Sequence, residues 1–456
     1  MSSAFDLSEL TKNGRTFSRK ELAGFVWQLS IPGIFAQISS ILMQYIDAAM
    51  VGHLGANPSA AIALVAPATW ILGSLTGAFC IGYTVQVAQA TGAGSRDKAK
   101  HIFWQSIISG IILSLVLIAI AAPISGMLPS WLGASQEIHK DASIYFFIFV
   151  FSVPSYLCVH LMSGMLQCSG NMKIPGLLNG AMCLLDVIFN FLFIFIFKMG
   201  VKGAALGSAC SAFTIAIIIF YQASVKSVHL NIMNRKDRIT DKATAIKAFR
   251  ISIPVAVEQL AFTGALVAVT KIIAPLGPVA LAANSFAVTA ESLCYMPGYG
   301  IQEAATALTG QSIGAKRHDL AKKFSWITVA MGMTVMSCMG ILMYFICPAV
   351  FRMLTPVNEI QELSIKILRL ELVAEPFYGA AIVCAGALRG AGDTFVPGIM
   401  NLISIWIVRL GLSLLLVSGY GLYGIWIAMT VELCFRGMIF LIRLKTTKSI
   451  SGRLCP

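Results

Sequence analysis

Long apolar runs, each closed by a short polar stretch, follow one another along the whole chain, and most have the length of a helix that crosses a bilayer core of about 30 Å. About twelve such spans are predicted, over 24–50, 60–90, 101–122, 142–166, 174–197, 203–224, 248–273, 280–310, 323–347, 364–387, 396–418 and 421–443. The period-two alternation of strands is absent, which excludes a barrel. The longest polar interior stretch, KSVHLNIMNRKDRITDKATAIK from Lys226 to Lys247, divides the chain near its middle. The expected organisation is a segment 1–23, a first lobe 24–224, a linker 225–247, a second lobe 248–443 and a tail 444–456.

Shifting the chain against itself by about 222 positions superposes distant segments at one register. Ser30-Ile31-Pro32 falls on Ser252-Ile253-Pro254, Gln37 on Gln259, and Leu54-Gly55 on Leu276-Gly277. Ala88 to Lys100 falls on Gly310 to Lys322, and the run from Pro154 on the run from Pro376. With six spans per half and the linker between, both halves enter the membrane in one orientation. They are parallel repeats about an axis along the membrane normal. The fold class is therefore an all-α membrane protein of two parallel six-helix lobes.

Composition narrows the class further. Of the 456 residues, 57% are hydrophobic and 12% charged, with mean hydropathy +0.81, far from a soluble domain. The net charge of +13 would suit nucleic acid if the cations were clustered. Instead they alternate by loop. Those near Lys12–Lys20, 96–100, Lys173, 226–247, 316–323, Arg389 and 443–453 fall on one side, against Lys140, Lys198, Lys202, Lys271 and Arg352 on the other. The bias of roughly four to one places both termini in the cytoplasm. No apolar leader with a small-residue cleavage site precedes the first span, so no signal peptide is expected. The eleven cysteines, among them Cys80, Cys158, Cys183, Cys210 and Cys338, form no CxxC pair and read as small buried hydrophobes.

Several segments together carry a family resemblance: the first span with Pro32, the stretch Asp47 to Gly52, the paired loops Gln89–Gly94 and Gln311–Ala315, and ALRGAGDTFVPGIMN from Ala387. From about Glu21 to Arg443 the chain resembles the multidrug and toxic compound extrusion (MATE) family, prokaryotic type. The resemblance implies a V-shaped pair of lobes that export organic cations in exchange for sodium or protons. It also implies the inner membrane of a bacterium, cationic drugs and the lipid bilayer as partners, a monomer, and no cofactor beyond the coupling ion.

Polar residues inside the spans mark the candidate chemistry. Ser30, Gln37, Ser40, Gln44 and Asp47 fall within roughly a quarter of one helix circumference, a stripe suited to a wet cavity rather than lipid. In the fifth span, Asn179, Asp186 and Asn190 share an arc of about 40°. Carboxylates and amide oxygens are ligands for hard cations, sodium included, and a shielded carboxylate also accepts a proton. The acids are not duplicated. Asp47 falls on Val269, Asp186 on Val408 and Asn190 on Leu412, whereas Asn179 falls on Asn401. Packing alone gives no reason to place acids in one lobe. The predicted ion site is Asp47, Asn179, Asp186, Asn190 and Ser208, with Asp47, Asp186 and Asn190 as possible sodium ligands.

One departure from the family concerns this site. Members of the family that this chain resembles usually carry asparagine at the position of Asp186 and aspartate at that of Asn190. The exchange moves the carboxylate about 6 Å along the helix, and Ser208 stands where threonine is usual. The predicted substrate cavity adds Gln37, Gln44, Glu258, Gln259 and Glu291. Glu258 is either a cavity acid or the partner of a nearby cation. Arg409, Glu432 and Arg436 read as a structural charge cluster, the last two being i, i+4 neighbours. His160 is expected to be a packing residue, and the prolines Pro32 and Pro254 open the first helix of each lobe, where they can hinge it.

The function expected is a secondary active multidrug exporter working by alternating access. A lipid-linked oligosaccharide flippase of the related superfamily is the alternative, disfavoured by the small number of spans and of mid-span cations. An enzyme lacks support, since no HExxH or P-loop lysine is present.

Overall fold

The computed structural model describes residues 17–233, 240–447 and 450. The loop and tail cations Lys12, Arg15, Arg235, Lys236, Arg238, Lys448 and Arg453 lie outside the described residues. Every regular element among the described residues is helical.

The first half consists of α1 (Arg19–Gly52), α2 (Ala56–Gly92), α3 (Arg96–Ile124), the one-turn α4 (Leu128–Trp131), α5 (Gln136–Cys168), α6 (Lys173–Phe191) and α7 (Val201–Tyr221). The second half consists of α8 (Lys242–Ile273), α9 (Pro278–Gly314), α10 (His318–Leu354), α11 (Asn358–Glu371), α12 (Glu375–Gly390), α13 (Phe395–Ile403) and α14 (Leu410–Thr446). Among the described residues ten segments are long and apolar enough to cross a membrane, the last being the run Phe395–Thr446 of 52 residues. That run is too long for one crossing and breaks at Gly421 (φ 56°), which separates the eleventh and twelfth predicted spans. The tenth predicted span is interrupted by the tight turn Leu372–Ala374 between α11 and α12.

Local chemistry sets the helix ends. Ser18 and Glu21 form a reciprocal capping box that starts α1, with Ser18 N donating to Glu21 Oε2 at 2.8 Å and Glu21 N to Ser18 Oγ at 3.2 Å. Asp241 caps α8 by accepting from the amides of Ala243 and Thr244 at 3.0 and 3.2 Å. Those amide bonds, with the Thr244 hydroxyl, hold its carboxyl below the usual range. Both caps start their helices before the predicted spans begin. Pro32 and Pro254 lie inside these continuous helices, in the first half of each.

The repeat is visible in the backbone. α2 and α9 start and end 222 positions apart, as do the starts of α3 and α10. Gly55 and Gly277 precede α2 and α9 with φ of 112° and 97°. α2 ends in a Schellman turn, Ser95 N donating to Ala90 O across left-handed Gly94. α9 ends the same way, Arg317 N donating to Ser312 O across Lys316 at φ 57°. The motifs GAG and GAK are thus helix terminators.

The described residues divide into two compact units, one comprising Ile38–Ala256, the other the described parts of Asn13–Gln37 and Val257–Pro456. In the first, Ala61, Val65, Ala121 and Phe146 pack in the core between α2, α3 and α5. In the second, the core holds Ala283, Ala287, Met343 and Leu368, the same four repeat positions, three of them filled by different side chains. The volume gained from Ala121 to Met343 is partly offset from Phe146 to Leu368. Apolar side chains also cover the outer surface, Ile111, Ile112 and Leu115 of α3 being more than half exposed, as lipid contact requires. The ten described cysteines are free thiols, and several of those expected to be buried are not: Cys338 is exposed, and Cys158, Cys183 and Cys210 are half-buried. In lipid a small apolar thiol faces outward without cost, and exposed His160 likewise departs from the packing role expected of it.

Candidate functional site

In the first unit the acids of α1 and α6 meet. Asn190 Nδ2 donates to Asp47 Oδ1 at 2.8 Å and to Asp186 Oδ2 at 2.9 Å. Asp186 and Asn190 lie one turn apart on α6, so their side chains share a face. Asp186 is wholly buried, and its Oδ1 accepts from Ser211 Oγ of α7 at 3.2 Å. The same hydroxyl lies 2.9 Å from the carbonyl of Ser208, which Tyr156 also approaches at 3.4 Å. One amide nitrogen thus holds carboxylates from two helices less than about 6 Å apart, where like charges oppose one another. A proton or a metal ion would relieve that opposition.

Close helix approach makes the arrangement possible. A Cβ on Gly207 of α7 would collide with Asn190 Oδ1 and meet Asn190 N at 2.9 Å. Glycine lets α7 lie against α6 at the level of the acids. Asn190 Oδ1 is buried there and accepts no hydrogen bond from the described residues.

Asp47 and Asn190 open on a cleft of about 370 Å³ within this unit, lined also by Gln44, Val51, Ile62, Trp70, Tyr145 and Ser208. Trp70 is 59% exposed, so the wall combines a carboxylate with two aromatic faces and aliphatic surface. Such a wall suits an amphipathic cation, which binds carboxylate and ring faces together. Among the described residues no group of three or more His, Cys, Asp or Glu side chains has metal-holding geometry. Oxygen ligands for an ion here would come from two carboxylates, an amide and hydroxyl or carbonyl oxygens.

The predicted residues separate into distinct places. Asp47, Asp186, Asn190 and Ser208 come together, and Gln44 lines the cleft beside them. Asn179, two turns before Asp186 and about 10 Å away along α6, makes no side-chain hydrogen bond to the described residues and does not line the cleft. The α1 stripe is shared between the units: Gln37 Nε2 donates to Glu303 Oε1 at 3.0 Å in the second unit, and Ser30 is buried with an unsatisfied hydroxyl. Ser211 escaped the sequence reading. Its spacing of three from Ser208 was the available signal.

In the second unit Glu258 is the partner of a cation and also lines a pocket. Its Oε1 accepts from Arg389 Nη2 at 2.9 Å and from Asn401 Nδ2 at 2.7 Å. The pocket, about 80 Å³, is also lined by Gln259, Phe262, Tyr299, Gln302 and Arg436. Arg389, counted from sequence among the loop cations, is instead buried in the last turn of α12. Glu432 is wholly buried between Arg409 at 2.7 Å and Arg436 at 2.9 Å, with Ser404 donating at 2.5 Å. This is the charge cluster expected from sequence. Glu291 is buried in the same unit, 4% exposed.

Comparison with known proteins bears on the whole chain. The MatE family model matches residues 32–192 and again 254–415, starting 222 positions apart. A Thermotoga maritima protein named probable multidrug resistance protein NorM is 28% identical over 438 residues, covering 93% of this chain and 91% of that one. A Bacillus cereus protein of the same name is 26% identical over 443 residues, covering 95% and 97%. The crystal structure of a MATE protein in complex with MaL6 superposes with TM-score 0.90 at 20% identity, over 96% of this chain and 99% of that one. That likeness is one of fold. Because two copies of the model account for most of its length, the chain belongs to the MatE family.

Proposed function

We propose that the protein is a secondary active exporter of cationic, amphipathic small molecules, driven by inward movement of sodium ions or protons. The observation that carries this reading is the pair Asp47 and Asp186, bridged by Asn190 at one wall of an aromatic-lined cleft. The multidrug resistance names of its relatives support the same substrate class.

In the proposed cycle a coupling cation occupies the carboxylate pair and substrate occupies the cleft, and the two exclude each other through Asp47. The amide of Asn190 can serve either ion. With Nδ2 towards the acids it bridges them, as here; turned over, it would present Oδ1 as a ligand to sodium. Exchange accompanies alternating access of the two lobes, with both termini cytoplasmic. No organic cofactor enters the cycle, and the protein is expected to act as a monomer.

Reconstituted vesicles test the proposal. With an imposed sodium gradient, or a pH gradient alone, the wild-type protein should export a cationic dye and release the coupling ion in response to it. Asp47→Asn should reduce export at least about tenfold, the effect of losing a charge-assisted contact. Full-rate export by that variant would remove Asp47 from the mechanism. Absence of dye export under either gradient would favour the flippase alternative.

A further inference from the structure

On the surface of the second unit, α10, α11 and α12 enclose a groove of about 500 Å³ floored by aliphatic and aromatic side chains. Ile341 is 61% exposed, Phe345 74% and Val373 70%, so the groove is open along its length. One charged side chain lines it. Arg369 of α11 stacks its guanidinium over the Tyr344 ring, 4.6 Å from the centroid.

The position of Arg369 is fixed by a defect in α10. Pro348 has no amide hydrogen, so the carbonyl of Tyr344, four residues earlier, lacks its helical donor. Arg369 Nε donates to that carbonyl at 3.3 Å, and the Cys347 thiol approaches it at 3.4 Å. This bond anchors the guanidinium without using its terminal nitrogens. Among the described residues Arg369 has no ion-pair partner, unlike Arg389, Arg409, Arg436 and Arg443.

Depth places the charge where a lipid phosphate lies. α10 is about 55 Å long, which exceeds the hydrocarbon core by about 12 Å at each end if centred. Tyr344 and Arg369 both lie about 15 Å from the turn joining α10 to α11. They fall just inside the boundary between headgroups and acyl chains. Exposed Lys366 stands one turn nearer that turn on the same face of α11 and also lacks an ion-pair partner among the described residues. Exposed Glu362 is a further turn out.

We propose that this groove is a binding site for an anionic phospholipid, its phosphate held by Arg369 with Lys366 above it, and an acyl chain laid along Ile341, Phe345 and Val373. An arginine at the edge of the hydrocarbon needs a counter-charge, and the described residues supply none. A guanidinium matches a phosphate with two parallel hydrogen bonds, and the apolar floor matches the chain that a soluble anion lacks.

Delipidated protein, titrated with phosphatidylglycerol or phosphatidylcholine and examined by native mass spectrometry, tests the site. The wild-type protein should retain phosphatidylglycerol about tenfold more tightly. Arg369→Gln should bring it to the phosphatidylcholine level, and Val373→Trp, which fills the groove but leaves the charge, should weaken both lipids. Melting temperature separates a purely structural role for Arg369. If it only capped the Tyr344 carbonyl, Arg369→Gln would lower stability equally in either lipid; the proposal expects the larger loss in phosphatidylglycerol. Equal retention of phosphatidylglycerol by wild type and Arg369→Gln would overturn it. So would displacement of the bound lipid by millimolar glycerol phosphate, which would make the site one for soluble anions.

Discussion

Asn190 gives its side-chain nitrogen to both Asp47 and Asp186, at 2.8 and 2.9 Å, so the two acids of the first unit are joined through a neutral residue rather than a cation of the chain. Removing the amide leaves both carboxyl groups without their shared donor. Asn190→Ala should therefore lower dye export in reconstituted vesicles by about tenfold or more, the scale of one or two charge-assisted hydrogen bonds. Asn179→Ala should change it less than about twofold, because that amide bonds to no described acid. Equal losses in the two variants would mean that the α6 face acts as a unit and that the bridge is incidental.

The different standing of these two asparagines shows what a sequence can carry. Helical spacing placed Asn179, Asp186 and Asn190 on one arc, and the arc is real. Angle says nothing of reach along the axis, however, and the ten or so ångströms between Asn179 and Asp186 exclude a shared site. The spans and the repeat were legible because a bilayer demands long apolar helices and because one register, 222, fits both halves. Partners from other helices were not. Ser211 looks like any small residue of a packed helix until α7 brings it to Asp186. Arg389 precedes a polar turn and reads as a loop cation, yet its partner Glu258 lies 131 positions away in sequence.

The approach of α7 to α6 yields a packing prediction. A methyl group at Gly207 would strike the side chain and backbone nitrogen of Asn190, so the helices must part or the amide must leave the acids. Gly207→Ala should destabilise the protein by about 1–3 kcal/mol, as overpacking does, and reduce export along with it. Gly411 provides the control, since a Cβ there would meet nothing within 4 Å. Gly411→Ala should be neutral or slightly stabilising in a melting experiment, as alanine is the better helix former.

The second unit makes a separate test of a buried ion pair. Glu258 and Arg389 are each about 9% exposed and bond at 2.9 Å, with Asn401 as a further donor. Breaking the pair from either side strands a charge. Glu258→Gln or Arg389→Gln should each cost about 3–5 kcal/mol of stability. The double substitution should cost clearly less than the sum, because neither charge is then left alone. Additive losses in thermal denaturation would show that the two side chains act independently despite their distance.

A last prediction concerns the crossing of α1 and α9 in the second unit. A Cβ on Gly33 would lie 2.8 Å from Gly300 O, and one on Gly300 would lie 2.6 Å from Ile34 Cα. The obstacles are backbone atoms on both sides, so no rotamer change relieves them, and the helices must separate. Gln37 lies one turn beyond Gly33 on α1 and reaches Glu303, three residues after Gly300 on α9, so separation also stretches that 3.0 Å hydrogen bond. Gly300→Ala should thus destabilise by more than Gly411→Ala changes stability, on the order of 1–3 kcal/mol. In Gly300→Ala the further change Gln37→Ala should add little, whereas in the wild-type background it should cost about 1 kcal/mol. A cycle of melting measurements on the four proteins would expose this coupling, and strict additivity would mean that the glycine crossing does not position the Gln37–Glu303 bond.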